Sequence, residues 1–320
     1  MDVAAFRAWL SGVVDLTAEQ RQELDVVLTG RDGKAEVVAA IDACVRDERQ
    51  CPHCGTDGAV KRGRANGLRR YRCKACGKSF NALTGTPLAR LRLKERWLDF
   101  TRTLSVGDTV RGSAAQCDVA LTTAFRWRHR FLKAVKTTTA PLRGIVEADE
   151  TYLLDSRKGD RHLDRPPRKR GGKAARRGLS REQVPVLVAA DRSGATVTAV
   201  LPTVSASAIQ AVLDPAISPD ILLVTDGASC FPPAAVALGI SHQALVQSAG
   251  ERVRGELHIQ TVNSRHQQIK GFLRAFRGIA TKYLPNYLRW FHLIRLDPHP
   301  SPRSCLHAAL GLQPVIAMPS

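Results

Sequence analysis

The sequence predicts an α/β domain preceded by a small four-cysteine ribbon and an all-helical unit. Three observations carry that expectation. Cys51, Cys54, Cys73 and Cys76 form two CxxC pairs separated by 18 residues. Residues 84–135 carry helical periodicity throughout. From residue 143 onward, short β-branched apolar runs alternate with helical patterns, as in a sheet whose strands are interleaved with helices. The expected division is a helical segment over 1–46, the ribbon over 47–82, the helical unit over 83–140, the α/β domain over 141–295 and a tail over 296–320.

A chain of 320 residues with 44% hydrophobic content can bury a sizeable core. Its 48 Lys and Arg against 29 Asp and Glu give a formal net charge of +19. Such a surface attracts polyanions, and nucleic acid is the commonest one a soluble protein meets. No run of about 18 apolar residues suggests a membrane span. The first residues, MDVAAFRAWLSGVVDLTAEQ, lack the continuous apolar core of a signal peptide. A cytoplasmic, nucleoid-associated protein is expected, in which CxxC pairs signal metal rather than disulfides.

The elements follow in order. Thr17 and Gln20 have capping-box spacing and open a helix through LTAEQRQELDVVL. In CPHCGTDGAVKRGRANGLRRYRCKACGKSF, each pair can set two thiolates on one turn. The hairpin between them would close a tetrahedral four-sulfur zinc site. A redox dithiol, the rival reading, needs one CxxC rather than two. So short a segment cannot build its own core, so metal would supply much of its folding energy. Gly55 and Gly77 follow the pairs, where the turning backbone needs freedom in φ. Arg62, Arg64, Arg69 and Arg70 between the pairs are candidate phosphate contacts.

Thr86 and Pro87 look like the cap and first turn of the next helix. TVRGSAAQCDVALTTAFRWRHRFLKAV then reads as helix, turn, helix, with Asp118 in the turn. Ala114, Ala115, Val119, Phe125 and Phe131 are the expected inner face. Arg126, Arg128 and Arg130 make the second helix a candidate reader of a DNA groove.

GIVEADETYLL, VPVLVAADRSG and ATVTAVLP read as strands, SASAIQAVLDPAI as a helix, and DILLVTDGASCF as a short central strand. Residues 157–181, with eleven Lys or Arg against two Asp, interrupt this domain as a flexible basic arm. Arg168, Lys169 and Arg170 are its candidate contacts to a nucleic-acid backbone. Two carboxylates stand out by position. Asp149 lies within a strand, where an unpartnered charge is costly, and Asp226 ends another strand at a carboxyl edge. On neighbouring strands the two could share divalent cations, with magnesium or manganese preferred by hard oxygen ligands. Asn263 and Lys270, seven residues apart, fall on nearly one helix face.

A ribbon, a basic helix pair, then EADET, VTDG and HIQTVNSRHQQIKGF, in that order, resemble bacterial insertion-sequence transposases of the ISXO-like group. RYRCKACGKSFNALTGTPL, AFRWRHRFL and GIATKYLPNYLRWF extend the likeness over nearly the whole chain. The resemblance implies an RNase-H-like mixed sheet with helices and a two-metal site for cleaving and joining DNA. It places the metal-binding aspartates on Asp149 and Asp226, the third ligand on Asn263 and the basic partner on Lys270. The wider superfamily most often has Glu at the third place, though members with Asn there occur. Glu251 or Glu256 is the alternative third carboxylate; Glu147 and Glu150 flank Asp149, with Glu150 on the opposite strand face. The implied partners are the inverted repeats at the element's ends and target DNA, met by a dimer or higher assembly. A catalytically inactive DNA-binding regulator is the other function considered.

Overall fold

The computed structural model describes residues 2–12, 17, 20, 33–45, 49–135, 141–168, 171–176, 180–246, 250–296 and 301–312. The chain forms two compact units, Met1–Thr101 and Arg102–Ser320, so one boundary falls inside the stretch expected as a single helical unit.

The first unit contains α1 (Val3–Gly12), α2 (Gly33–Ala43) and an antiparallel sheet of β1 (Val60–Ala65), β2 (Leu68–Arg72) and β3 (Ser79–Phe80). The capping pair is reciprocal: Thr17 N–H donates to the Gln20 side chain at 3.0 Å, and Gln20 N–H donates to the Thr17 hydroxyl at 3.2 Å. The helix expected after it lies outside the described residues. No helix starts at Thr86. Its hydroxyl donates to Leu83 O and accepts from Leu88 N–H, which holds a turn while Leu83 and Leu88 are buried. Leu93 then takes a left-handed conformation (φ 55°), and a 3₁₀ turn leads into α3 (Trp97–Ser105).

In the second unit, α4 (Val110–Gln116) and α5 (Leu121–Ala134) are joined through Asp118, which adopts φ 47° in the place where glycine is common. The inner face differs from expectation. Ser113, Cys117, Ala124, Trp127 and Phe131 are buried, whereas Ala115 and Phe125 are exposed. The bulkier Trp127, Phe131 and Leu132 set the buried stripe of α5, and Arg128 sits within it.

The sheet runs in the order β6-β5-β4-β7-β8, from β4 (Ile145–Leu154), β5 (Gln183–Asp191), β6 (Thr196–Val200), β7 (Leu222–Thr225) and β8 (Ser241–Ala244). β4–β5 and β5–β6 are antiparallel, while β4–β7 and β7–β8 are parallel. Val146 and Ala148 of β4 join a core with Ile209 of α6 (Ala206–Leu213) and Phe231 of α7 (Phe231–Leu238). Alternation sends Glu147 and Asp149 to the other face. There α8 (Gln260–Arg274) lies on β4 and β5, burying Val262, Ile269 and Phe272, behind a small hairpin of β9 (Val253–Arg254) and β10 (Leu257–His258). α9 (Leu284–Phe291) packs on β6, α5 and α8, and α10 (Pro302–Leu310) packs on α5.

The basic insertion, expected as a flexible arm, is folded back at its root. Ser156 N–H donates to the Thr281 hydroxyl at 2.8 Å, Thr281 N–H donates to Ser156 O at 2.7 Å, and Lys158 donates to Gly278 O at 2.9 Å. Lys169 and Arg170 lie outside the described residues.

Candidate active site

Strand register brings the two aspartates together. β4 pairs with β7 as Ile145↔Leu222, Val146↔Leu223 and Glu147↔Val224. The same offset carried two residues on sets Asp226, just past the carboxyl end of β7, opposite Asp149 in the middle of β4. Asp226 closes an Asx turn, its carboxylate accepting from Ala228 N–H at 3.0 Å. Gly227 follows at φ 91°; a Cβ there would meet Val246 and Ala244 while also straining the backbone. Burial pushes the Asp149 carboxyl up to about 7, and the Asp226 carboxylate adds to the rise while Lys270 opposes it. Two repelling carboxylates, one of them half-buried, fit a cation between them.

The third side comes from α8, where Asn263, His266 and Lys270 recur at spacings of three and four and share a face. His266 is 6% exposed, and its Nδ1 stands 3.8 Å from Asp149 Oδ2. Burial, then the Lys270 charge, hold this imidazole down to about 4, so it is neutral. Glu147 sets the position of the helix. Fully buried, it pairs with Arg192 at 2.6 Å and accepts from the Val262 N–H at 2.9 Å, in the first turn of α8. Arg192 also bonds the Thr261 hydroxyl and Glu256 O. A carboxylate from the strand thus meets the positive end of the helix dipole, one residue before Asn263.

Other acidic neighbours are engaged elsewhere. Glu150, on the opposite face, accepts from the Cys230 thiol at 3.3 Å; burial raises its pKa, and Asp226 adds to the rise. Glu251 makes a two-point ion pair with Arg254, at 2.6 and 2.7 Å. After burial, the charges that bear on Asp149 are those of Asp226 and Glu150, which raise its pKa, and of Lys270, which lowers it.

In the first unit, one atom from each of Cys51, Cys54, Cys73 and Cys76 lies within 4.8 Å of the others, a cluster that can hold a metal. Cys51 and Cys76 sulfurs are 3.7 Å apart, and Cys54 and Cys73 sulfurs 3.6 Å apart. A tetrahedron with bonds of ~2.3 Å has edges near ~3.8 Å, so the sulfurs suit a four-sulfur centre. His53 and Cys76 amides donate to Cys51 and Cys73 sulfurs, and Gly55 and Gly77 close the two turns at φ 74° and 69°.

Residues 141–292 match the family model of the ISXO2-like transposase domain. A protein of Halobacterium salinarum, described as an uncharacterized protein in transposable element ISH50, is 31% identical over 250 residues. The match covers 77% of this chain and 84% of that protein. The chain belongs to the ISXO2-like insertion-sequence transposases. Two Mos1 transposase structures are also similar in part. The paired-end complex with left transposon end is 15% identical, over 66% of this chain and 78% of that one, at a TM-score of 0.25. The Mos1 mariner paired-end complex with Mn is 14% identical, over 63% and 74%, at 0.21.

The transposase places its candidate DNA-binding arginines unevenly. Arg62, Arg64, Arg69 and Arg70 are exposed on β1 and β2, with Arg64 and Arg69 beside Asp42. Arg126 is exposed and Arg130 half-buried. Arg128 is not a surface residue: at 1% exposure it donates to Asp108 O and the Ser113 hydroxyl, with its guanidinium 4.7 Å from the Trp290 ring. Arg168 also turns inward, onto Asp155 O and Glu182. Sequence reasoning missed His266 as a site residue and Arg192 altogether. The spacing of His266 to Asn263 and Lys270 is legible in the sequence; nothing local links Arg192 to Glu147.

Proposed function

We propose that this transposase binds the terminal inverted repeats of its insertion sequence and performs metal-dependent strand cleavage and strand transfer on them. The observation that carries this is the meeting of Asp149 and Asp226 on parallel neighbouring strands under the Asn263–Lys270 face of α8. The order of the mixed sheet fits an RNase-H-like catalytic domain. Asp149, Asp226 and the Asn263 side-chain oxygen would hold magnesium or manganese, and the four cysteines would hold zinc. Bound divalent cations supply activation of the attacking oxygen and stabilisation of the leaving oxygen at phosphorus. The chain's own contribution is placement. The Glu147 clamp fixes the start of α8, neutral His266 packs beside Asp149 without adding charge, and Lys270 stands ready to neutralise a phosphate. Hydrolysis frees a 3′-hydroxyl and transesterification uses it, both as in-line displacements. Arg62, Arg64, Arg69, Arg70, Arg126 and Arg130 supply phosphate contacts. Joining two ends to a target calls for a dimer or larger assembly on DNA.

The test is cleavage and joining of labelled DNA carrying the repeats that flank the gene, with magnesium or manganese, beside Asp226→Ala. Metal-dependent nicking at the repeat ends that the substitution abolishes supports the proposal. Tight end binding with no cleavage in either metal overturns it in favour of a DNA-binding regulator.

A further inference from the structure

A groove of about 970 Å³ opens between the root of the basic insertion and the loop that follows α8. Leu153 at the end of β4, Leu163 of the insertion, Ile279 and Leu284 give it an apolar lining. Hydrogen bonds between Ser156 and Thr281, and from Lys158 to Gly278, join its two sides. Its arginines divide into two kinds. Arg157, Arg165 and Arg168 are each paired with a carboxylate of the insertion or its flanks. Arg274 and Arg277 are exposed, and no ion pair involves either among the described residues. Arg277 also holds a left-handed backbone (φ 51°), uncommon for a side chain of its size and a kind of strain that concentrates at binding sites.

The groove continues the active site. Arg274 lies one helical turn beyond Lys270 on α8, in line with it and further from Asp149 and Asp226, and Arg277, three residues past the helix end, joins Arg274 in the groove lining. Leu153 is four residues beyond Asp149 on β4, about 13 Å along the strand. A polyanion leaving the carboxylates along that line enters the groove within a few phosphates. A duplex would meet only the arginines, because its base faces are stacked inside. An unpaired strand presents phosphates to the arginines and bare base faces to the leucines at once.

We propose that this groove binds unpaired nucleotides of the substrate DNA strand, next to the phosphate held at Asp149 and Asp226. The proposal rests on the DNA-cleaving reading for the source of that strand, but not for the groove's chemistry.

The test uses the full chain and fluorescence anisotropy, with a blunt duplex of the element end and the same duplex carrying a short single-stranded extension on either strand. The wild type is expected to bind one extended form about tenfold more tightly than the blunt one, the gain from roughly one stacked base. Arg274→Ala with Arg277→Ala should remove that gain, lower blunt-duplex affinity by much less than the gain itself, and leave thermal unfolding near wild type. Leu163→Asp, which puts a negative charge in the lining, should remove it too. No gain in the wild type, or a gain that survives in both variants, overturns the proposal. The cleavage assay separates this failure from that of the catalytic reading. Asp226→Ala should keep the gain and lose cleavage, and a wild type that shows the gain but never cleaves defeats the catalytic reading alone.

Discussion

Glu147 on β4 accepts a hydrogen bond at 2.9 Å from the main-chain N–H of Val262, 115 residues further along the chain. That bond, with the Arg192 ion pair, ties the strand of Asp149 to the helix of Asn263. Glu147→Ala leaves Arg192 without its carboxylate and the helix end without its acceptor. It should lower stability by about 3 kcal/mol in urea denaturation. Cleavage should fall at least tenfold, by an order-of-magnitude estimate, through misplacement of Asn263. Glu147→Gln keeps an acceptor for Val262 and should do less damage; equal losses in the two variants would mean that charge, not the helix cap, matters.

Asp149 makes the site sensitive to pH. Its folded pKa, about 7, lies above the usual 3.8. Its contribution to stability is therefore fully present below the unfolded value and is lost as pH rises through about 7. Without divalent cations, the wild type should weaken between about pH 4 and 7. Asp149→Asn should exceed it above pH 7 by on the order of 2 kcal/mol. Magnesium or manganese should restore wild-type stability at about pH 8 and do little at about pH 5. Denaturation midpoints with and without metal test this; a stabilisation by metal that is the same at both pH values would sink it.

How much of this was legible depended on the range of the signal. The strands around Asp149 and Asp226, the cysteine pairs and the Asn263–Lys270 face were readable because each is a local period or spacing. The helix start was misplaced to Thr86 because Leu83 and Leu88 bury themselves through turns, a tertiary preference that overrides a cap signal. Arg128 read as a DNA contact because charge usually means surface. Only the fold supplies Asp108 O, Ser113 and the Trp290 ring to keep it inside. Glu147 and Arg192, 45 residues apart in sequence, meet only once β4 and β5 pair.

Two of the three arginines on α5, Arg126 and Arg128, should therefore separate cleanly. Arg128→Ala removes a buried, bonded cation and should cost about 3 kcal/mol in stability. Arg126→Ala, on the exposed face, should leave stability within about 0.5 kcal/mol and weaken DNA binding, reducing its salt slope by roughly one. Denaturation curves and salt-dependent binding isotherms check both. A loss of stability in Arg126→Ala comparable to that of Arg128→Ala would contradict this burial pattern.

The four-cysteine cluster makes a separate prediction for the first unit. Zinc held there would be released by Cys73→Ser or by strong chelation, because Cys73 is 2% exposed and paired with Cys54. Binding to element ends should fall with it, since β1 and β2 hold their arginines between the two CxxC pairs. Metal content by elemental analysis and end binding by anisotropy should drop together. Full end binding in a metal-free protein would remove zinc from the structural role.

In the proposed site, Asn263 brings an amide where Asp149 and Asp226 bring carboxylates. An amide oxygen still ligates a hard cation, but it adds no Coulomb attraction, so it should hold the metal more weakly than a carboxylate. Asn263→Glu puts a carboxylate on the same face as Lys270. It should shift the magnesium and manganese dependence of cleavage to lower concentration without abolishing the reaction. Asn263→Ala should need more metal and cleave at least tenfold more slowly, the scale of losing one ligand or its positioning. Measuring cleavage rate against metal concentration for the three proteins distinguishes the cases. Wild-type rates in Asn263→Ala would move the third ligand elsewhere. Glu251 is held by Arg254 in a two-point ion pair. Glu150, which already acts on both Asp149 and Asp226 from the opposite strand face, would then be the carboxylate to substitute next.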